Sequence, residues 1–574
     1  MLSLKHWSVL VLSLVMIASL CLTSCVPPQP AATEAPKAEE AAEEPAAAEE
    51  EPAAAEDASS EVSEEVAEEA VEEPEAGVEK ILVHARAADS ATMDPAEMVA
   101  APDWKPVGQI FDSLVRYNQD MEIVPHLATS WETSDDGLEW TFQLRDDVKF
   151  HDGTPLNADA VVFTFERAYN EEHPAHEIGT WDNWSWYLYM VNNVEAVDEY
   201  KVKFTLDYAY APFLDTLANT ATSIVSPTAY MEKADKFRVE PVGSGPFKFS
   251  EWMKDDRIVL EKNPDYFLGE PKIDKLIYRV MPENTTRLSA LKTGEAHVLS
   301  DVPPEIAQLI EEEENLNVVS YPGLDISFMR WNMRPDLPGF QEPLGDKQVR
   351  EAIIRSIDRQ AIVDRFFLGY GEVAENPIPS VVWGRDESLQ VPEYDPDKAK
   401  ELLAAAGYPD GFETTLRFWP IAFASLPQPS KMAEAIQSYL KEVGIEAEVV
   451  VEEAGAHWDN FSTGQGNLYI TGWVGDFADP HNFLSPMWED GMAGMDAGWT
   501  NAEFMELLTA AQEETDKDTR SEMYKEAQQI FFDELPGLPL FTGMKIGAYH
   551  DSVIDLNMRP DGEMWYFGVD LQTE

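Results

Sequence analysis

The sequence predicts an α/β protein of more than one domain. Two observations carry this. At 574 residues the chain is too long for a single hydrophobic core, and a norm of roughly 150 residues per domain implies two to four. In the second half, helical periodicity alternates with short apolar runs. Residues 430–444 put Met432, Ile436, Tyr439, Leu440 and Val443 on one side of a helix, and the strand IEAEVVV follows at once. A third observation, the formal net charge of -66, bears on partners: it repels nucleic acid, so DNA binding is excluded, and it favours solubility or the capture of cationic solutes.

The N-terminus is an export signal. Lys5 precedes an apolar run over residues 9–22, which is too short to span a membrane. Leu22, Thr23, Ser24 and Cys25 resemble the bacterial lipobox, whose cysteine is acylated and becomes the first residue of the mature chain; the alternative is a plain secretory signal with a chance cysteine. Cys21 lies inside the signal, so cleavage before Cys25 leaves one sulfur, committed to lipid, and no disulfide is expected. From 26 to 80 the chain is Ala, Glu and Pro in low-complexity repetition, with nineteen acids against two lysines. Such a segment self-repels and cannot bury enough surface to fold, so it reads as a tether. A short Ala/Glu helix within it would still be a spacer.

Folding is expected to start at Lys80, with a strand in ILVHARAAD. A helix is expected to follow through Val107, Ile110, Phe111, Leu114 and Val115. Asp136 and Gly137 join two alternating segments as a hairpin, with Trp140, Phe142 and Leu144 facing one way. Asn157 reads as an N-cap with Asp159 in the first turn, and Asn284 as the cap of a helix carrying Leu288 and Leu291. Residues 346–368 read as one or two amphipathic helices with Val349, Ala352, Ile353 and Ile357 inward. Asp395, Pro396 and Gly407 supply a cap, an N1 proline and a C-terminal glycine in order. Further helices are expected from Asn501 and Asp518, the last stopped by Pro536, with a strand over 538–541.

The stretch LYITGWVGDFADPHNF, 468–483, carries the chemistry. Leu468, Tyr469 and Ile470 read as a buried strand that Gly472 and Gly475 break into a loop bearing Trp473, Asp476, Phe477 and Asp479. Flat rings and carboxylates at a strand end make a wall for a ligand with an apolar body and a cationic or hydroxylated group. The competing interpretation is that Asp479 and Pro480 only start a turn and the aromatics are core.

Three phrases carry a family resemblance: P-x-L-A-x-S-W at 125–131, S-D-D-G-L-x-W-T-F-x-L-R at 134–145, and V-K-F-H-D-G-T-P-L-N-A-D-A-V at 148–161. PVGSGPF at 241–247 and the block 263–295 extend it. The chain resembles the extracytoplasmic solute-binding proteins of family 5, the dipeptide, oligopeptide and nickel-type receptors that feed ABC importers. The resemblance implies a two-lobe periplasmic-binding-protein fold, type II, in the large form with an extra subdomain, its lobes joined by a hinge. The implied parts are the signal 1–24, the tether 25–79, a first lobe from 80–118, 241–325 and 541–574, the extra subdomain 119–240, and a second lobe 326–540. It implies a monomer that meets a permease and ATPase complex, held to the membrane by its lipid and needing no cofactor.

In peptide-binding members an aspartate in W-x-x-D-[FY]-x-[DE]-P holds the ligand's α-ammonium, and Asp476 is the matching position. The family's glycine-rich strand entry, with Gly243 and Gly245 around Ser244, is where backbone comes close to ligand. Dipeptide receptors also carry a carboxylate-binding arginine that aligns near Phe423; this stretch has none, and Lys431 could replace it only by pointing inward, so strict dipeptide recognition is not expected.

Sixteen tryptophans keep an oligosaccharide in play as the alternative ligand, since indole faces pack on sugar rings and apolar side chains alike. Trp104, Trp383, Trp419, Trp473 and Trp488 fall in loops or at element ends, and Trp181, Trp184 and Trp186 cluster; burial in the core is the alternative for any one of them. His173 and His176 lack the carboxylates or cysteines of a metal site, and none is expected. No G-x-S-x-G, Walker A or H-E-x-x-H pattern occurs, so an exported hydrolase has only unpaired acids behind it.

Overall fold

The computed structural model describes residues 78–572 except 99, 182, 183, 185, 186, 492–495 and 497. The export segment, Cys25, the tether through residue 77, and Trp186 lie outside the described residues. Among the described residues no helix is long and apolar enough to cross a membrane.

In chain order the strands are β1 (Ile81–Arg86), the short pair β2 (Val115–Tyr117) and β3 (Ile123–Pro125), and then β4 (Ala128–Thr133), β5 (Glu139–Leu144), β6 (Val191–Asp198) and β7 (Lys201–Leu206). There follow β8 (Phe247–Met253), β9 (Arg257–Lys262), β10 (Lys275–Val280), β11 (Val298–Leu299) and the long β12 (Leu316–Trp331). The second half adds β13 (Gly371–Val373), β14 (Phe412–Phe418), β15 (Ile445–Val451), β16 (Leu468–Val474) and a second long strand, β17 (Gly537–His550).

One sheet of eleven strands runs through both halves in the order β15-β14-β16-β12-β17-β11-β1-β10-β9-β8, with β13 on β17. The two long strands are the crossing. Residues 316–321 of β12 pair with 545–550 of β17, beside the first-half strands, while Ile326, Ser327, Phe328, Met329 and Arg330 pair with its other end, beside β16. The register breaks between Pro322 and Ile326, which is where a hinge can bend with little loss of ladder hydrogen bonds. Gly543 sits at this level because the chain of the 419–426 loop presses on it: a Cβ there would stand 2.0 Å from the Ala424 carbonyl oxygen.

Burial divides at the same place. One apolar cluster draws on Leu82, Phe142, Phe204, Leu276 and Tyr566, and a second on Leu291, Ile310 and Ala548. Two others draw only on residues between Leu324 and Phe541, such as Ile353, Leu416, Phe483 and Phe531. Each half has its own core, so the fold is the two-lobe α/β arrangement that the family resemblance implies.

The antiparallel sheet β4-β5-β7-β6 builds the inserted region. Gly137 takes φ +70 in the hairpin between β4 and β5, and Trp140, Phe142 and Leu144 are buried together, as the alternation requires. The Asn157 side chain caps the helix Ala158–Tyr169 by accepting from the Ala160 N–H. Asp346, Asp395 and Asn501 cap their helices in the same way.

Three boundaries differ from expectation. The helix expected through Val115 stops at Ile110, and Phe111 starts an extended stretch whose Leu114 pairs its carbonyl with Ala128. Asn284 is the first residue of its helix rather than its cap, its side chain turned to Arg287. The last helix, Lys517–Glu534, is capped by Asp516, two residues before Asp518.

Candidate ligand-binding site

β16 brings the candidate segment to the end of the sheet. It lies between β12 and β14, with Leu468, Tyr469 and Ile470 buried. It does not break at Gly472. The strand continues to Val474, and Trp473 pairs with Ile326. The glycine is there for packing: a Cβ on Gly472 would meet the Phe423 ring at 2.4 Å. The chain leaves the sheet at Gly475, so the loop starts three residues later than the break expected at Gly472.

Asp476 is held from its own lobe and touched from the other. Its N–H donates to Asn482 Oδ1 at 2.9 Å, and Asn482 Nδ2 donates to its carboxylate at 3.3 Å. The Trp473 indole N–H donates to the same Asn482 oxygen at 3.1 Å, so one asparagine sets both the ring and the acid. From the inserted region, the Tyr187 hydroxyl donates to Asp476 Oδ1 at 2.9 Å, and Asn219 Nδ2 donates to the Asp476 carbonyl at 3.2 Å. Burial and the neighbouring carboxylate push the Tyr187 phenol well above its ordinary value, which keeps it protonated and donating.

Asp479 has a different place. It is 1% exposed, accepts from the His481 N–H at 2.9 Å to open the turn at Pro480, and forms an ion pair with Arg520 at 2.9 Å. Burial works against the Arg520 charge, but Asp479 outweighs it and holds the guanidinium above its ordinary value. Across the lobe contact, Asp215 accepts from the Tyr117 hydroxyl at 2.7 Å. Desolvation, and then the Asp479 charge facing it, raise Asp215 to about 7. The same contact includes the Ala211 N–H on the Gln512 carbonyl at 2.7 Å and the Tyr210 ring against His481.

The remaining expected residues are spread. Phe477 is buried. Trp383 lies beside the Asp479 ion pair, its ring 5.0 Å from the Arg520 guanidinium and 4.9 Å from Lys517 Nζ. Trp419 stacks parallel on His457 at 5.7 Å and leans on Phe423, the ring that covers Gly472. Trp104 belongs to the helix Ala101–Ile110 and packs on the first-lobe core. Ser244 is 1% exposed and donates to Asp112 at 2.8 Å. Its flanking glycines admit the protein's own backbone: Cβ atoms on Gly243 and Gly245 would stand 2.1 Å from the Ile110 oxygen and 2.5 Å from the Gln109 oxygen. Lys431 is exposed and bonded to Gln428, and Arg417 on β14 is paired with Glu452.

Sequence reasoning missed Tyr187, Asn219, Asn482 and Arg520. The aromatic density of TWDNWSWYLY was a signal for Tyr187; nothing local marks Asn219. Among the described residues no group of three or more His, Cys, Asp or Glu side chains is placed to hold a metal ion.

Comparison with known proteins agrees with this architecture. Residues 122–494 match the model of the bacterial extracellular solute-binding proteins, family 5. Di/tripeptide-binding protein 3 of Pseudomonas aeruginosa is 32% identical over 86% of this chain and 95% of its own. Heme-binding protein A of Haemophilus influenzae is 33% identical over 81% and 87%. The solved structure of an ABC transporter-associated periplasmic binding protein from Helicobacter pylori, in complex with the peptide STSA, superposes with a TM-score of 0.71 at 32% identity, covering 86% of this chain and 98% of that one. These relatives are binding proteins rather than enzymes, and on this extent of match the chain belongs to family 5 of the bacterial extracellular solute-binding proteins.

Proposed function

We propose that this protein is the receptor of an ABC importer and that it captures an oligopeptide between its lobes, with Asp476 taking the peptide's α-ammonium. The observation that carries this is the Asp476 carboxylate itself, fixed by Asn482 in one lobe and met by Tyr187 from the other. A cationic amine competes well for that position, because a charge-assisted hydrogen bond is roughly twice as strong as a neutral one. A ligand bound there is touched from both lobes only when they are closed, so it shifts the open-closed equilibrium toward closure. Trp473, set beside Asp476 by the same asparagine, offers its ring to the first side chains of the peptide.

One of the relatives is named for the di- and tripeptides it binds and another is solved in complex with a peptide, which supports this ligand class. The missing arginine near Phe423 and the outward Lys431 argue for peptides longer than two residues, whose carboxylate is not gripped at that point. No bond is made or broken, and the chain acts as a carrier rather than an enzyme. Export, acylation at Cys25 and the acidic tether belong to the same proposal, placing the lobes outside the cell membrane on a lipid anchor.

The test is calorimetric titration of the folded body with a tripeptide and its Nα-acetylated form. Acetylation removes the charge that Asp476 pairs with, and the expected result is at least about tenfold weaker binding. Equal affinity for both forms would show that the amine is not read.

A further inference from the structure

A second feature lies away from Asp476. Between the chain around β2 and β3 and the C-terminal segment 555–568, the first lobe has a half-open cavity of about 690 Å³, and none of the residues expected to bind the peptide lines it. In a chain of charge -66, its wall holds three arginines, Arg116, Arg145 and Arg559.

Two of these are neutralised. Arg145 forms a two-pronged pair with Asp147, and Arg559 is paired with Asp561 and also donates to the Tyr117 carbonyl. Arg116 is different. Among the described residues its side chain has no hydrogen bond and no ion pair; its guanidinium lies over the Trp565 ring, 3.4 Å from the centroid. Burial, and then Arg559, lower it to about 10, so it stays charged at neutral pH. An arginine stacked in this way keeps the edge of its fork open, and that edge matches a carboxylate bidentately. Two acids of the C-terminal segment line the cavity; Glu563 is raised to about 7 by burial, so it opposes an incoming anion less than an ordinary glutamate would. Asp555 lies at the exposed rim. The apolar part of the wall is Trp565 and Phe567, 5.1 Å apart at 34°, with Val124, Pro125 and Leu268, while Asn118, His126 and Asn557 are among its polar residues.

We infer that this cavity is a second binding site, for a small organic carboxylate with a flat apolar body, in which Arg116 reads the carboxylate and Trp565 and Phe567 receive the ring. Electrostatics favour the anion locally although the surface as a whole repels it, because a partly buried charge is screened less than the distant surface acids. The site is independent of the peptide proposal and shares no residue with it.

The experiment uses the purified body with 4-fluorobenzoate and its neutral isostere 4-fluorobenzamide, followed by fluorine NMR at low ionic strength. The expected result is saturable binding of the benzoate below roughly 10 mM, at least about tenfold tighter than the benzamide, with the preference gone in Arg116→Gln and unchanged in Asp476→Asn. Circular dichroism checks that Arg116→Gln is folded. Should it not fold, the ratio of benzoate to benzamide in the unaltered protein decides alone, and Arg116→Lys, which keeps the charge but not the fork, is expected to bind benzoate more weakly than wild type. No preference for the anion, or the same preference in Arg116→Gln, overturns the inference. Loss of benzoate binding in Asp476→Asn also overturns it, by moving the anion to the space between the lobes.

Discussion

Asp476→Asn changes one oxygen for an amide and leaves the shape of the site. At about 3 Å, the separation at which Tyr187 now meets the carboxylate, two unit charges attract by roughly 5 kcal/mol at an effective dielectric of about 20. Part of this is spent on desolvating the ammonium, and truncating one partner of such a pair costs a complex about 2–4 kcal/mol, or roughly 30- to 1,000-fold in Kd. The fold has little to lose. The asparagine oxygen still accepts from Tyr187 or Asn482, so the thermal midpoint is expected to stay within about 2 °C of wild type. Calorimetric titration of a free-amine tripeptide against both proteins measures the difference. A variant that binds within about threefold of wild type would refute the reasoning, because no carboxylate that receives the amine can be neutralised so cheaply.

Arg520→Met leaves Asp479 buried, with Asp215 facing it and its ion-pair partner gone; the loss of about 3–5 kcal/mol should lower the calorimetric midpoint of the second lobe by roughly 6–20 °C, and a midpoint within about 2 °C would contradict the role of the pair. Asp215 is an acid whose folded value, about 7, is above its unfolded one, so its contribution is most favourable at low pH and is lost as pH rises toward 7. Asp215→Asn should therefore stabilise the protein at pH 8, with a gain that shrinks steadily as pH is lowered toward about 4; denaturant titrations at several pH values check this, and a pH-independent gain would count against it. Gly543→Ala drives a Cβ into the Ala424 carbonyl and should cost about 1–3 kcal/mol in urea titration; no loss would mean that the crossing strands yield easily.

Much of the fold is written in local chemistry. Asn157, Asp346, Asp395 and Asn501 announce helix starts because a side-chain oxygen caps a free N–H within three residues, and Asp136 with Gly137 announces a hairpin through the positive φ its turn needs. Local reading fails where a distant element decides. Gly472 looks like a strand breaker, yet β16 runs through it because the Phe423 ring needs the space. Gly243 and Gly245 look like an opening for ligand, yet the backbone of 109–110 fills it. At the candidate site, the motif around Asp476 could be located from sequence. Its partners could not, because Tyr187 and Asn219 reach it from 289 and 257 residues away, and no periodicity encodes such a contact. Arg116 was likewise invisible, since its isolation depends on Trp565 lying under it.

The central claim is the identity of the solute, and native mass spectrometry of the folded body, purified without denaturation, tests it most directly. Binding sites that close around their ligand retain what the host supplies, so the bound molecule can be released and weighed. A heterogeneous set of peptide masses, lost together in Asp476→Asn, is the result expected. A ladder spaced by hexose or pentose units, retained in that variant, would contradict the peptide account and transfer the binding role to the indole faces of Trp473, Trp419 and Trp383.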